Sequence, residues 1–118
     1  MLPIPRCIEP NWPAPANVLA LSTTRLGGRS VAPYASFNLA KHVGDDDSSV
    51  DRNRGLLAAI LPDGTVVHWL SQVHGAAAVQ ATPADVCPEA DACYTHQAGI
   101  ACAVLTADCL PVLLCSTT

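Results

Sequence analysis

Apolar residues in this chain fall into short runs separated by turn-forming residues, a pattern that predicts brief strands and short connections. Valine, leucine and alanine dominate these runs, and glycine, proline or aspartate ends most of them. The predicted strands are residues 18–24, 66–73, 76–81, 100–107 and 112–115, with a short extended piece at 91–95.

One segment instead has the spacing of an amphipathic helix. Ser48 is a suitable N-cap, and Asp51, three residues later, resembles the second half of a capping box. The turn sequence at residues 62–64, Pro-Asp-Gly, predicts where the helix ends. Three apolar side chains follow the i, i+3, i+4 pattern of a buried helical face: Leu57, Ile60 and Leu61.

Because strands outnumber helices, the sequence predicts a mixed α/β (or α+β) sheet and not a helical bundle. Prolines are concentrated in residues 1–17, which we interpret as an irregular proline-rich lead-in. Residues 18–118 then form the domain, since a chain of 118 residues has room for only one. Half of the residues are apolar but few are aromatic, so a core must consist of aliphatic side chains.

The charge balance excludes some classes of partner. Six basic residues against ten acidic ones give a net charge of −4, which argues against nucleic-acid binding. The first residues do not resemble a signal peptide, and no apolar run approaches the roughly 20 residues that span a bilayer. We therefore expect a cytoplasmic protein without membrane contact, whose six cysteines are thiols.

Two predicted strands end in residues capable of chemistry. The apolar run up to Ala107 leads to Asp108 and Cys109 and is stopped by Pro111, while the strand from Val66 leads to His74. A thiolate with an imidazole suits either a cysteine nucleophile with a histidine base or a zinc site. His74 and Cys109 alone leave the zinc site one ligand short, and on an extended strand Asp108 points away from Cys109.

Other cysteines and histidines fit structural roles. Cys102 and Cys115 lie within or beside apolar runs and are interpreted as packing residues. His68 lies deeper in its strand than His74 and is interpreted as structural. Gln72 shares a strand face with His74, which makes it a candidate to contact a ligand.

Residues 23–30 form a third candidate, a loop in which two glycines lie between Arg25 and Arg29. Backbone N–H groups and guanidinium groups in such a loop can converge on an anion. An ordinary glycine turn with solvated arginines explains the same sequence.

Seven short motifs follow one another along the chain: Thr24-Arg25-x-Gly27-Gly28-x-Ser30, Pro33-Tyr34-x-Ser36-Phe37-Asn38-Leu39, His42-Val43-Gly44-Asp45-Asp46, Asn53-Arg54, Gln72-Val73-His74-Gly75, Asp91-Ala92 and Thr106-Ala107-Asp108-Cys109-Leu110-Pro111. No single motif is specific, but the ordered set is. In this order the motifs resemble the bacterial laccase-domain family, whose members are also called polyphenol oxidases, purine nucleoside phosphorylases or peptidoglycan editing factors.

The resemblance implies a zinc ion, with copper as an alternative metal, held by His74, Cys109 and a second histidine. In the family that histidine lies in a downstream motif, so we expect it beyond Thr118. The chain is accordingly expected to be the N-terminal portion of a single domain, with the missing C-terminal half as its partner. The complete family fold is expected to contain two β-sheets sandwiched between helices.

The implied activity is phosphorolysis of adenosine, inosine and methylthioadenosine, together with deamination of adenosine. Purine nucleosides and phosphate are then the partners, His74 and Cys109 the catalytic residues, and Arg25, Asn38 and Gln72 the candidates for substrate binding. One alternative is a hydrolase that edits peptidoglycan precursors with Cys109 as nucleophile, and another is an inactive truncated fragment. A multicopper oxidase is disfavoured, because four scattered histidines cannot supply its paired ligands.

Overall fold

The structure is a computed structural model that describes residues 5–84 and 86–116. The described residues divide into two compact units. The first contains the residues up to Leu57 together with those from Val112 onward, and the second is Ala58–Pro111. In chain order the elements are β1 (Cys7–Ile8), β2 (Ser22–Thr23), α1 (Asp47–Ile60), β3 (Val66–His68), β4 (Ala78–Gln80), β5 (Ala92–Tyr94) and β6 (Ile100–Cys102).

The strands pair two by two. In the first unit β1 and β2 are antiparallel, with Cys7 opposite Thr23. In the second unit β3 pairs with β6 and β4 pairs with β5, both in parallel. This mixture of one helix with small parallel and antiparallel sheets confirms the predicted α/β class. Within the part of the chain that the structure describes, no helix is long and apolar enough to cross a membrane.

Most strands are shorter than the apolar runs that predicted them. The run at 100–107 is a strand only over Ile100–Cys102, and the run at 18–24 only over Ser22–Thr23. The expected strand at 112–115 is absent from the described residues, and the lead-in contains the unexpected β1. Strands form only where a neighbour accepts their hydrogen bonds, which composition alone does not reveal.

The helix begins earlier than the sequence suggested, and Asp46 caps it. The Asp46 carboxylate accepts the backbone N–H of Ser49 at 3.1 Å, and its carbonyl accepts that of Val50 at 3.1 Å. Ser48, the predicted cap, lies within the helix and donates its hydroxyl to the same carboxylate. The predicted end is confirmed, since α1 stops at Ile60 before the Pro-Asp-Gly turn.

The buried face of α1 also differs from the predicted one. Val50, Asn53 and Leu57 are buried, whereas Ile60 is 38% exposed. These buried residues belong to the first unit, whose core also contains Phe37 and Leu39. An amide in the middle of an apolar face needs partners, and Asn53 has four, described below.

Replacing Asp46 by alanine is expected to lower the melting temperature by ~4–8 °C at neutral pH, the usual effect of losing one cap in a small domain. Hydrogen bonds, chiefly from the Ser48 hydroxyl, lower the pKa of Asp46. The stabilisation that Asp46 provides is therefore complete above the ordinary aspartate pKa of about 3.9, and it is lost as the pH falls through the pKa of Asp46 in the folded protein. Thermal melts of wild type and variant should converge in acid.

Asp47→Asn is the matched control, because it removes a neighbouring carboxylate that makes no side-chain hydrogen bond to the described residues. It should change the melting temperature much less than Asp46→Ala does. Equal effects of the two variants would show that charge at the helix start, and not the cap, stabilises α1.

Candidate functional site

The parallel pair β3/β6 brings the two predicted site segments to one edge of a sheet. His68 lies opposite Cys102, and the next residue, Ala103, donates its N–H to the His68 carbonyl at 3.3 Å. Parallel strands have their carboxyl ends at the same edge, which is where α/β proteins commonly place their sites. The segments that continue to His74 and Cys109 therefore leave the sheet side by side.

A side chain ties these two segments together beyond the strands. The Gln72 amide donates to the Leu105 carbonyl at 2.9 Å and accepts the Leu105 N–H at 2.7 Å. This pair of bonds reproduces the pairing of a neighbouring strand between residues 33 positions apart. It holds the segments together two residues before His74 and four before Cys109. Gln72 is a candidate for substrate binding, and in this structure both polar atoms of its side chain form this link.

His74 follows this link at a left-handed turn. Its φ is 58°, the single positive φ among the described residues other than glycine. The Asp91 carboxylate accepts three successive backbone N–H groups, from Val73 at 3.1 Å, His74 at 2.8 Å and Gly75 at 2.7 Å. These bonds lower the pKa of Asp91, and the bond from Gly75 has the largest effect. The side chain of His74 is exposed.

Cys109 and Asp108 are also exposed, in an irregular stretch. The sequence placed Cys109 near the end of a strand reaching Ala107, but that strand ends at Cys102. Cys102, predicted to be a packing residue, is itself exposed, whereas Cys115 is half-buried. His68, interpreted as structural, is buried. Its Nδ1 accepts the Thr82 N–H at 3.4 Å, and its Nε2 has no hydrogen-bond partner among the described residues.

The candidate ligands are of the type that zinc prefers, but there are too few of them among the described residues for a zinc site. His74 and Cys109 supply an exposed imidazole and an exposed thiol, the nitrogen and sulfur donors that zinc prefers. Over residues 5–84 and 86–116, no group of three histidine, cysteine or acidic side chains is placed to hold a metal ion. A zinc site built on this pair thus needs a donor from outside the described residues.

The arginine–glycine loop uses its backbone for internal bonds. Gly28 N–H bonds to the Ser36 hydroxyl at 3.2 Å, and Arg29 N–H bonds to the Asn53 side chain at 2.7 Å. Two of the donors expected to meet an anion are therefore satisfied within the protein. The exposed guanidinium of Arg25 makes no hydrogen bond or ion pair to the described residues, so it remains the loop's candidate for binding an anion.

Asn38 also makes local contacts. Its amide bonds twice to the Ala40 backbone at 3.1 Å and donates to Asp45 at 3.2 Å. Asp45 also accepts a hydrogen bond from the Ser30 hydroxyl at 2.5 Å. These bonds lower the pKa of Asp45, and the bond from Ser30 has the largest effect. In this structure the Asn38 side chain organises the segment before α1. Nearby in the first unit, an open cavity of about 410 Å³ is lined by Arg29, Arg52, Gly55 and Leu56.

Sequence reasoning gave no role to Asp91, although its motif was recognised. Its acceptor role depends on residues 16 to 18 positions away, so no local pattern shows it. The available signal was the glycine after His74, which indicated a tight turn whose N–H groups need an acceptor.

Residues 19–118 match the family model described as "Multi-copper polyphenol oxidoreductase laccase". A Pseudomonas aeruginosa protein named purine nucleoside phosphorylase is 48% identical over 108 residues, covering 92% of this chain and 43% of that protein. Purine nucleoside phosphorylase YfiH of Escherichia coli K12 is 46% identical over 114 residues, covering 94% of this chain and 46% of that protein.

Among solved structures, the crystal structure of a Neisseria meningitidis protein superposes with a TM-score of 0.82 at 43% sequence identity. The match covers 87% of this chain and 42% of the other. The chain thus spans less than half the length of these relatives.

Proposed function

Because the chain belongs to the multi-copper polyphenol oxidoreductase laccase family, we propose that it is the amino-terminal part of a zinc-dependent purine nucleoside phosphorylase. The observation that carries this proposal is the link from Gln72 to Leu105 beyond the parallel pair β3/β6. It brings together the segments that lead to His74 and Cys109. The names of the relatives supply the reaction class.

In this proposal His74 and Cys109 hold the metal, and the third ligand comes from the remaining part of the domain. Bound zinc supplies an electrophile or an activated water molecule, which suits both phosphorolysis and deamination of a purine nucleoside. Asp91 fixes the backbone at His74, and the guanidinium of Arg25 is retained as a group for binding phosphate. A zinc site is preferred to a multicopper centre because the four histidines of this chain include no His-x-His pair.

Exposed apolar side chains support the proposal that the rest of the domain is the partner of this chain. Val112 is 69% exposed, Leu113 41% and Leu114 90%, in the run that predicted a last strand. So many apolar side chains in one short run are typical of a contact surface. Relatives more than twice as long as the matched region have the additional residues to cover it.

The test is to join the 118-residue chain to the part of the Pseudomonas aeruginosa relative that it does not match, and to assay inosine with phosphate. We expect release of hypoxanthine and ribose 1-phosphate by the joined protein and none by the 118-residue chain alone. Adenosine and methylthioadenosine should also be cleaved, and adenosine deaminated.

Chelation and alkylation separate the alternatives. Activity of a zinc-dependent phosphorylase should stop on chelation and return with added zinc. Activity on a peptidoglycan precursor that survives chelation but stops on thiol alkylation would favour the cysteine hydrolase. A joined protein that folds and binds zinc but cleaves no nucleoside would contradict the proposed function.

A further inference from the structure

We propose that Asp91 is a positioning residue for His74, holding the left-handed turn from which the imidazole projects. The proposal rests on the proposed function, in which His74 binds a metal. Its geometric basis is independent of that function: one carboxylate accepts the N–H groups of three successive residues, with His74 in the middle.

The turn at His74 needs such support because its backbone conformation is unfavourable. At a φ of 58° the Cβ of an L-residue crowds the following carbonyl, so residues other than glycine adopt this conformation uncommonly. Successive N–H groups that point to one side form a concave donor site for an anion. Asp91 provides that anion from within the protein, and without it the three donors have no acceptor in the described residues.

The number and charge of the bonds explain why the acceptor is a carboxylate. Oδ1 accepts from His74 at 2.8 Å and Val73 at 3.1 Å, while Oδ2 accepts from Gly75 at 2.7 Å. An asparagine at position 91 offers a single acceptor oxygen and no charge, so it cannot satisfy all three donors. The bonds reach only the backbone of residues 73–75, so Asp91 holds the position of the imidazole through the main chain, and its carboxylate also interacts electrostatically with His74.

The first experiment measures amide hydrogen exchange in the 118-residue chain, by NMR, for wild type, Asp91→Asn and Asp91→Ala. Exchange at Val73, His74 and Gly75 should become at least ~10-fold faster in both variants, because a lost hydrogen bond exposes the amide to solvent. Exchange at Ala81 should not change, because its N–H bonds to the Tyr94 carbonyl at 2.8 Å. Unchanged protection at residues 73–75 would overturn the proposal.

Glu89→Gln is the matched control for charge. Glu89 lies two residues before Asp91, is exposed, and makes no side-chain hydrogen bond to the described residues. The Glu89→Gln substitution removes one negative charge, as Asp91→Asn does, but removes no hydrogen-bond acceptor from the turn. Faster exchange at residues 73–75 in this variant would show that local charge, and not the Asp91 bonds, stabilises the turn.

The second experiment measures metal affinity by titrating the joined protein, in which the 118-residue chain is completed by the unmatched part of the Pseudomonas aeruginosa relative, with Co²⁺, followed by its thiolate charge-transfer absorption. Groups that orient a metal ligand change affinity by about 10–100-fold. We expect that loss for Asp91→Ala, a smaller one for Asp91→Asn, and no change for Glu89→Gln. His74→Ala marks the full loss of the ligand.

The two experiments distinguish failure of this inference from failure of the proposed function. If wild type binds cobalt and Asp91→Ala binds it equally well, the positioning role is wrong while the metal site stands. If the joined protein with the wild-type sequence binds no cobalt, the proposed zinc site is wrong, and the exchange data alone decide whether Asp91 holds the turn.

Discussion

Replacing Gly28 by alanine is expected to destabilise the protein by about 3 kcal/mol, a large share of the 5–15 kcal/mol typical of a folded domain. A Cβ at this position would lie 2.3 Å from the Ser36 carbonyl oxygen, 2.6 Å from the Phe37 Cα and 2.7 Å from the Asn53 Oδ1. Two of these atoms belong to the backbone, so rotation of a side chain does not relieve the clash. Urea unfolding monitored by circular dichroism measures the effect.

The neighbours of Gly28 are held in place, which is why the clash is costly. Asn53 is fully buried, and its amide donates to the Ser30 hydroxyl at 2.9 Å, the Asn38 carbonyl at 2.8 Å and the Ser36 carbonyl at 3.3 Å. Moving Asn53 away from a new methyl group would break bonds to buried groups, each of which costs about 1–3 kcal/mol. Glycine is required here for close approach of the backbone.

Gly55 offers the matched control within the same unit. It lies in the middle of α1, is exposed, and a Cβ there would meet nothing within 4 Å. Gly55→Ala should therefore stabilise the protein by ~0.5–1 kcal/mol through helix propensity. A Gly28→Ala variant within 0.5 kcal/mol of wild type, alongside a stabilised Gly55→Ala variant, would contradict the packing around Asn53.

Local features of the sequence predicted local structure well. The end of α1 before the Pro-Asp-Gly turn followed from turn chemistry alone. The cap was misplaced by two residues because residues 45–49 contain three aspartates and two serines, all acceptable N-caps. Which of them accepts the N–H of Ser49 depends on the path of the preceding chain.

Features that depend on distant residues were not predictable. Gln72 stays a candidate to contact substrate, and its link to Leu105, 33 positions away, could not be predicted from the sequence. Asn53 was recognised as part of a motif, and its role as the buried acceptor for Arg29 required the fold. The lengths of the strands likewise depend on which neighbour pairs with them, as β6 shows by ending at Cys102.

The second large effect is expected at Cys109. In the 118-residue chain joined to the remaining part of the Pseudomonas aeruginosa relative, Cys109→Ala should reduce inosine phosphorolysis by at least ~100-fold and remove most bound zinc. Loss of a group that only orients a ligand costs 10–100-fold, so loss of a ligand should cost more. The measurements are hypoxanthine release and the zinc content of the purified protein, and His74→Ala should reproduce both changes.

Cys102→Ala is the control that makes this prediction specific, because Cys102 is also an exposed thiol and lies seven residues earlier. The pKa of Cys102 is raised to about 12, mainly by partial burial of its sulfur and secondly by a hydrogen bond with Cys93. Since zinc binds the thiolate, the raised pKa makes Cys102 a weaker competitor for the metal than an ordinary thiol. Cys102→Ala should therefore retain zinc and activity. If Cys109→Ala kept its zinc while losing activity, Cys109 would act as a nucleophile and not as a metal ligand.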